Sequence, residues 1–321
     1  MMRAALTVLC LSLAAPVAAS DLALTLPLTC DLGEDCHIQQ YVDADPGPDA
    51  PDYRCGTLSY EAHKGTDFAL RDLSAMAAGV PVLAAAPGVV IALRDGMEDG
   101  VYARGDTAAV ADRECGNGMV ISHGDGWETQ YCHLRRGSVQ VTKGQRVARG
   151  AVLGTVGMSG KSQFPHVHLS VRQDGKVIDP FAPKAAQCGA TVGPDLWQDT
   201  PVYEPGGLIA AGFSDSIPSF DAIKAGRAAV DGLAPDAPAL VLYGYAFGGQ
   251  TGDVVEIAID GPDGRIIAHD IQLEKNQAQL FRAAGKRQPQ GGWPAGRYSG
   301  TVRMLRDGQV IDREEVAITI D

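Results

Sequence analysis

From about residue 56 onward, apolar residues come in runs of a few positions, each ended by glycine or a polar turn. Examples are Val80-Pro81-Val82-Leu83-Ala84, Gly88-Val89-Val90-Ile91-Ala92-Leu93, Met119-Val120-Ile121-Ser122 and Leu169-Ser170-Val171. Such runs read as β-strands, and little between residues 56 and 184 repeats apolar residues at helical spacing. The expected fold is therefore all-β and mainly antiparallel. Strand runs resume after residue 231, at Ala239–Tyr245, Val254–Asp260, Ile266–Leu273, Tyr298–Leu305 and Val310–Ile320. The intervening turns are Gly261-Pro262-Asp263-Gly264 and Arg306-Asp307-Gly308-Gln309. Turns at that spacing suggest a small immunoglobulin-like sandwich.

The chain of 321 residues has room for two domains. Met1-Met2-Arg3, the apolar stretch Ala4–Leu13 and the small residues Pro16–Ser20 follow the pattern of a signal peptide cleaved after Ala19. The apolar run is too short for a membrane span. Residues 20–55, rich in Asp and Pro, read as an extended N-terminal segment. The strand-rich stretch 56–184 is a candidate catalytic domain and Gly/Pro-rich 185–230 a linker with one short helix near Asp221–Val230. Residues 231–321 form the sandwich. A net charge of −12 argues against a general nucleic-acid binder.

The mature chain keeps Cys30, Cys36, Cys55, Cys115, Cys132 and Cys188, an even count that favours disulfides after export. Several pairings are open. Those favoured are Cys30–Cys36 as a local loop, Cys115–Cys132 across a hairpin and Cys55–Cys188 as a clamp on the ends of the catalytic domain. Export places the protein in the periplasm or outside the cell.

Three short pieces carry the chemistry: His63-Lys64-Gly65-Thr66-Asp67, Tyr131-Cys132-His133-Leu134 and Pro165-His166-Val167-His168-Leu169. They hold four of the seven histidines. Imidazole and carboxylate both bind zinc, and a hydrolytic zinc needs three protein ligands and an open position. Gly65 is expected to relax the backbone so that His63 and Asp67 converge. Strand alternation puts His166 and His168 on one face, so that one can bind metal while the other stands beside it. His123 reads as a turn residue, and His37 and His269 as ordinary. Gly160-Lys161-Ser162 lacks the earlier glycine of a phosphate loop, since Thr155 stands there. The polar stretch 94–116 reads as a long loop between strands, either a substrate-facing feature or decoration.

These pieces resemble the lysostaphin/LytM-type zinc metallopeptidases, which cut peptides of bacterial cell walls. The likeness runs over residues 58–182. It includes Glu61–Asp67, Pro81–Val90, Gly116–His123, Tyr131–Leu134, Val147–Gly157 and Pro165–Leu169. The resemblance implies a lysostaphin-type β-sheet domain with zinc as cofactor. It implies His63, Asp67 and His168 as metal ligands and His133 and His166 as catalytic histidines. It further implies the cross-linking peptide of peptidoglycan as substrate. The alternatives are a non-catalytic regulator of other wall hydrolases and a zinc peptidase acting on another exported peptide. The sandwich would bind cell wall or a protein partner.

Overall fold

The computed structural model describes residues 22–45, 47–185, 187–190 and 193–321. The signal-peptide reading of residues 1–19 lies outside them. Among the described residues no helix is long and apolar enough to cross a membrane.

The first ten strands are β1 (Cys36–Gln40), β2 (Thr66–Leu70), β3 (Pro81–Leu83), β4 (Gly88–Arg94), β5 (Asn117–Gly124), β6 (Trp127–Leu134), β7 (Arg146–Val147), β8 (Val152–Thr155), β9 (His166–Gln173) and β10 (Lys176–Ile178). One antiparallel sheet runs β1-β2-β9-β6-β5-β4-β7, with β10 beside β9, while β3 and β8 form a separate pair. The central strands β2 and β9 are covered on both faces: Phe68, Ala69, Val167 and Leu169 have no solvent exposure, and the polar Asp67, His166 and Ser170 are buried as well. Helix α1 (Leu73–Ala78) was not signalled by periodicity, and it buries no side chain that would create one. Its ends are local: Asp72 accepts from the Ala75 N–H, and Gly79 closes it at φ 89°.

The remaining strands are β11 (Gly207–Ser214), β12 (Gly232–Leu233), β13 (Ala239–Gly249), β14 (Val254–Gly261), β15 (Gly264–Gln272), β16 (Gln277–Arg287), β17 (Gly296–Arg306) and β18 (Gln309–Ile320). They form a three-stranded sheet, β11-β13-β16, against a five-stranded sheet, β12-β18-β17-β14-β15. The sandwich core between them holds Leu208, Leu240, Leu242, Ala246, Ile257 and Val302. Alternate residues of the same strands, Ile209, Tyr243, Tyr245 and Phe247, join the core of the N-terminal half. Both faces of the three-stranded sheet are thus buried, which explains why β11 and β13 lack a polar face.

Two stretches differ from the sequence reading. Residues 207–214, within the expected linker, are the strand β11, and the helix there is α2 (Phe220–Lys224), stopped before Gly226 at φ 70°. Residues 36–40, within the expected lead-in, are the strand β1 paired to β2. Leu24 and Leu28 nearby are also buried in the core. The disulfides are Cys30–Cys36, Cys55–Cys188 and Cys115–Cys132.

Candidate active site

Asp67 on β2 lies directly opposite His168 on β9, which in turn lies opposite Cys132 on β6. Residues opposed across antiparallel strands share a face, and so do residues two apart in one strand. Asp67, His166 and His168 therefore project together. His63 joins them from the turn before β2. Its Nε2 is 3.2 Å from Asp67 Oδ1 and 3.1 Å from His168 Nδ1, while His168 Nδ1 is 2.7 Å from Asp67 Oδ1.

Outer hydrogen bonds fix what these atoms offer. His63 Nδ1 meets the Tyr41 carbonyl at 2.6 Å. A carbonyl only accepts, so Nδ1 carries the hydrogen and Nε2 presents a lone pair. Ser170 Oγ donates to the Lys64 carbonyl at 2.6 Å and so accepts from His168 Nε2 at 3.1 Å, which leaves the His168 Nδ1 lone pair inward. Two imidazole lone pairs and a carboxylate oxygen then face one another with no donor among them. That arrangement is repulsive in the neutral tautomers unless a cation fills it. Two edges, 3.1 and 3.2 Å, lie near the separation of about 3.3 Å between tetrahedral ligands bonded at roughly 2.0–2.1 Å, and the third, 2.7 Å, is shorter; the donor set fits zinc with a small opening of the carboxylate–imidazole edge.

Gly65 has a reason other than the expected backbone freedom. A Cβ there would lie 2.6 Å from His168 Nε2 and 2.7 Å from the Leu169 carbonyl oxygen. The His168 ring occupies the space a side chain would need.

His133 reaches the same place by breaking strand alternation. One residue past Cys132, it would face away in a regular strand, but its φ is 66°. Its ring centre lies 4.6 Å from that of His166. The His133 N–H donates to the Cys115 carbonyl at 2.8 Å, beside the Cys115–Cys132 bridge. His133 Nδ1 donates to the Ser159 carbonyl at 2.7 Å and His166 Nδ1 to the Phe164 carbonyl at 2.9 Å. Both rings therefore turn an unprotonated Nε2 to the cleft.

Charge follows from burial. Desolvation, with His166 and His168 adding to it, pushes His133 well below the usual imidazole range. Desolvation also lowers His166, against the pull of Asp67. For His63 desolvation is outweighed by the Asp67 charge and the net shift is upward. Asp67 is held well below the carboxylate range, its burial offset by His63 and His166.

The other histidines lie elsewhere. His123 is bonded to the Pro87 carbonyl and Thr129 Oγ1, His269 is exposed on β15, and His37 packs on Phe247 with burial lowering its pKa to about 4. The loop 94–116 is anchored by Asp99, whose carboxylate accepts from the Met158 and Arg136 N–H groups, and it brings Tyr102 to the cleft wall. Sequence reasoning missed Tyr41, Ser159 and Ser170, which orient the imidazoles. Serine and a backbone carbonyl carry no spacing signal.

Residues 61–180 match the sequence model of peptidase family M23. The chain is 34% identical over 117 residues to the peptidoglycan DD-endopeptidase ShyA of Vibrio cholerae, covering 36% of this chain and 22% of that protein. It is 31% identical over 124 residues to the DD-carboxypeptidase/endopeptidase Mpg of Neisseria meningitidis, covering 39% and 23%. The chain thus spans less than a third of the length of these relatives. Among solved structures, a putative peptidase M23 from Pseudomonas aeruginosa shares 26% identity over 50% of each chain, at a TM-score of 0.31.

Proposed function

We propose that this chain, which carries a domain of peptidase family M23, is a zinc-dependent endopeptidase that hydrolyses peptide cross-links of bacterial peptidoglycan after export. The observation that carries the reading is the convergence of three lone-pair donors, His63 Nε2, Asp67 Oδ1 and His168 Nδ1, beside two further imidazoles. The relatives named for peptidoglycan endopeptidase activity support the substrate class.

His63, Asp67 and His168 would hold the metal. Zinc supplies Lewis acidity and brings the pKa of a bound water down to about 7. His63 and His168 are kept in metal-binding tautomers by Tyr41 and Ser170. His133 and His166, neutral through burial, each turn an Nε2 lone pair to the cleft. There they can take a proton from the attacking water and deliver one to the departing amine. In protonated form the same rings stabilise negative charge on the amide oxygen. A non-catalytic regulator would not need all five side chains in working tautomers.

The test is digestion of purified peptidoglycan with and without a zinc chelator, with products identified by mass. New amine and carboxyl ends at the cross-link, abolished by chelation and restored by zinc, are expected. Intact cross-links with the zinc-loaded protein would overturn the proposal.

A further inference from the structure

The side-chain row at the centre of the sheet extends one strand beyond the residues so far considered. Gln40 on β1 lies opposite Asp67, which lies opposite His168. Gln40 therefore stands next to the candidate metal ligands on the cleft side, and it lies outside the 61–180 family match.

Two adjacent glutamines here are used differently. A register shift between Ile38 and Gln40 accommodates Gln39. The Gln39 carboxamide is fully engaged: Nε2 donates to the Ala278 carbonyl at 2.9 Å, and Oε1 accepts from Gln279 Nε2 at 2.9 Å. Those bonds fasten the start of β16 to β1. Gln40 is 8% exposed, and its Oε1 is buried with no partner. An amide left unpaired in this way costs about 1–3 kcal/mol.

Gln40 lines a cavity of about 490 Å³ together with Tyr60, Gln163, Asn276 and Gln277, and the same cavity is lined by Asp67, His133, His166 and His168. One wall of the cleft is therefore built by the sandwich, held in place by Gln39. That wall contributes the carboxamides of Asn276 and Gln277, each offering a donor and an acceptor without charge, while Lys161 lines the cavity from the other side of the cleft. An extended peptide, with N–H and C=O groups along its edge, is the matching ligand.

We infer that Gln40 is a substrate-positioning residue, whose carboxamide pairs with a backbone amide of an extended peptide held between β1 and the Asn276–Ala278 wall of the sandwich. This inference rests on the endopeptidase reading and specifies where its substrate lies.

The test uses full-length zinc-free protein and purified cross-linked muropeptide, with affinity measured by titration calorimetry. Gln40→Met keeps the volume and removes both hydrogen-bonding groups. Its affinity should fall about 5–10-fold, with thermal stability unchanged or raised because a buried unpaired group is gone. In the zinc-loaded enzyme KM should rise by the same factor and kcat should stay within about twofold. Gln277→Ala, at the partly exposed wall, should also weaken binding and serves if Gln40→Met fails to fold. Wild-type affinity in both variants, or a loss confined to kcat, overturns the inference while leaving hydrolysis by the wild type intact. Binding without cleavage by the wild type would instead remove the endopeptidase reading alone. No binding by the wild type would remove both.

Discussion

His63 Nε2 and His168 Nδ1 approach to 3.1 Å although each ring has its hydrogen committed outward, to Tyr41 and Ser170 respectively. Two lone pairs held this close, with a carboxylate oxygen completing the triangle, form a donor set suited to a cation. The residues that commit the hydrogens are therefore as much part of the site as the ligands.

Ser170→Ala removes the acceptor for His168 Nε2–H while leaving all three proposed ligands. Loss of such an outer partner should weaken zinc binding about 10–100-fold. Competition against a chelator of known affinity measures it. An unchanged zinc affinity would mean that the His168 ring is oriented by packing alone.

Gly65→Ala should be more damaging than an alanine in a loop ordinarily is. The added methyl would fall 2.6 Å from His168 Nε2 and 2.7 Å from the Leu169 carbonyl oxygen, so the ring or the strand beneath it must shift from the position that sets its contact with Asp67. Zinc content should drop well below one per chain, with the fold retained by circular dichroism. Full zinc occupancy in the variant would contradict the close-approach explanation.

His133→Ala and His166→Ala should keep zinc and lose turnover, kcat falling about 10²–10⁴-fold, as expected for removed proton-transfer groups. Metal analysis beside muropeptide hydrolysis separates the roles. Loss of metal in either variant would show that the ring is a ligand.

Asp179, outside the His63–Asp67–His168 cluster, gives a pH-dependent stability prediction. Burial pushes its carboxyl up to about 7, with the Asp52 charge adding to the shift, and its Oδ2 has no partner. The folded chain then stays protonated there until near neutrality, whereas the unfolded chain ionises near 4. Stability from this group is full below about pH 4 and is lost as pH rises through about 7. Asp179→Asn should be more stable than wild type at pH 8, by roughly 1–3 kcal/mol, and nearly equal at pH 4. Urea midpoints at the two pH values check this. A variant no more stable than wild type at pH 8 would contradict the assignment.

Much of this arrangement was legible in the residues. Alternation in His166-Val167-His168 placed two rings on one face, and short runs broken by glycine gave an antiparallel β protein. What stayed hidden depends on contacts across the chain. His133 could not be aimed from sequence because its direction comes from a φ of 66°. The close approach at Gly65 is invisible in the sequence because the ring that needs its space comes from a residue far along the chain. The strand at 36–40 was obscured by polar Gln39 and Gln40, whose side chains face the sandwich and the cleft rather than solvent. β11 escapes the strand pattern because its small residues, Ala210, Ala211 and Gly212, lack the bulky side chains of a typical strand. They suit a sheet covered on both faces.

The most direct measurement is zinc K-edge X-ray absorption on the purified protein, alongside metal content. One zinc per chain is expected, with only nitrogen and oxygen neighbours at about 2.0–2.1 Å, and its loss in His168→Ala. Absence of stoichiometric zinc, sulfur in the coordination shell, or full zinc retention in His168→Ala would contradict the His63–Asp67–His168 centre.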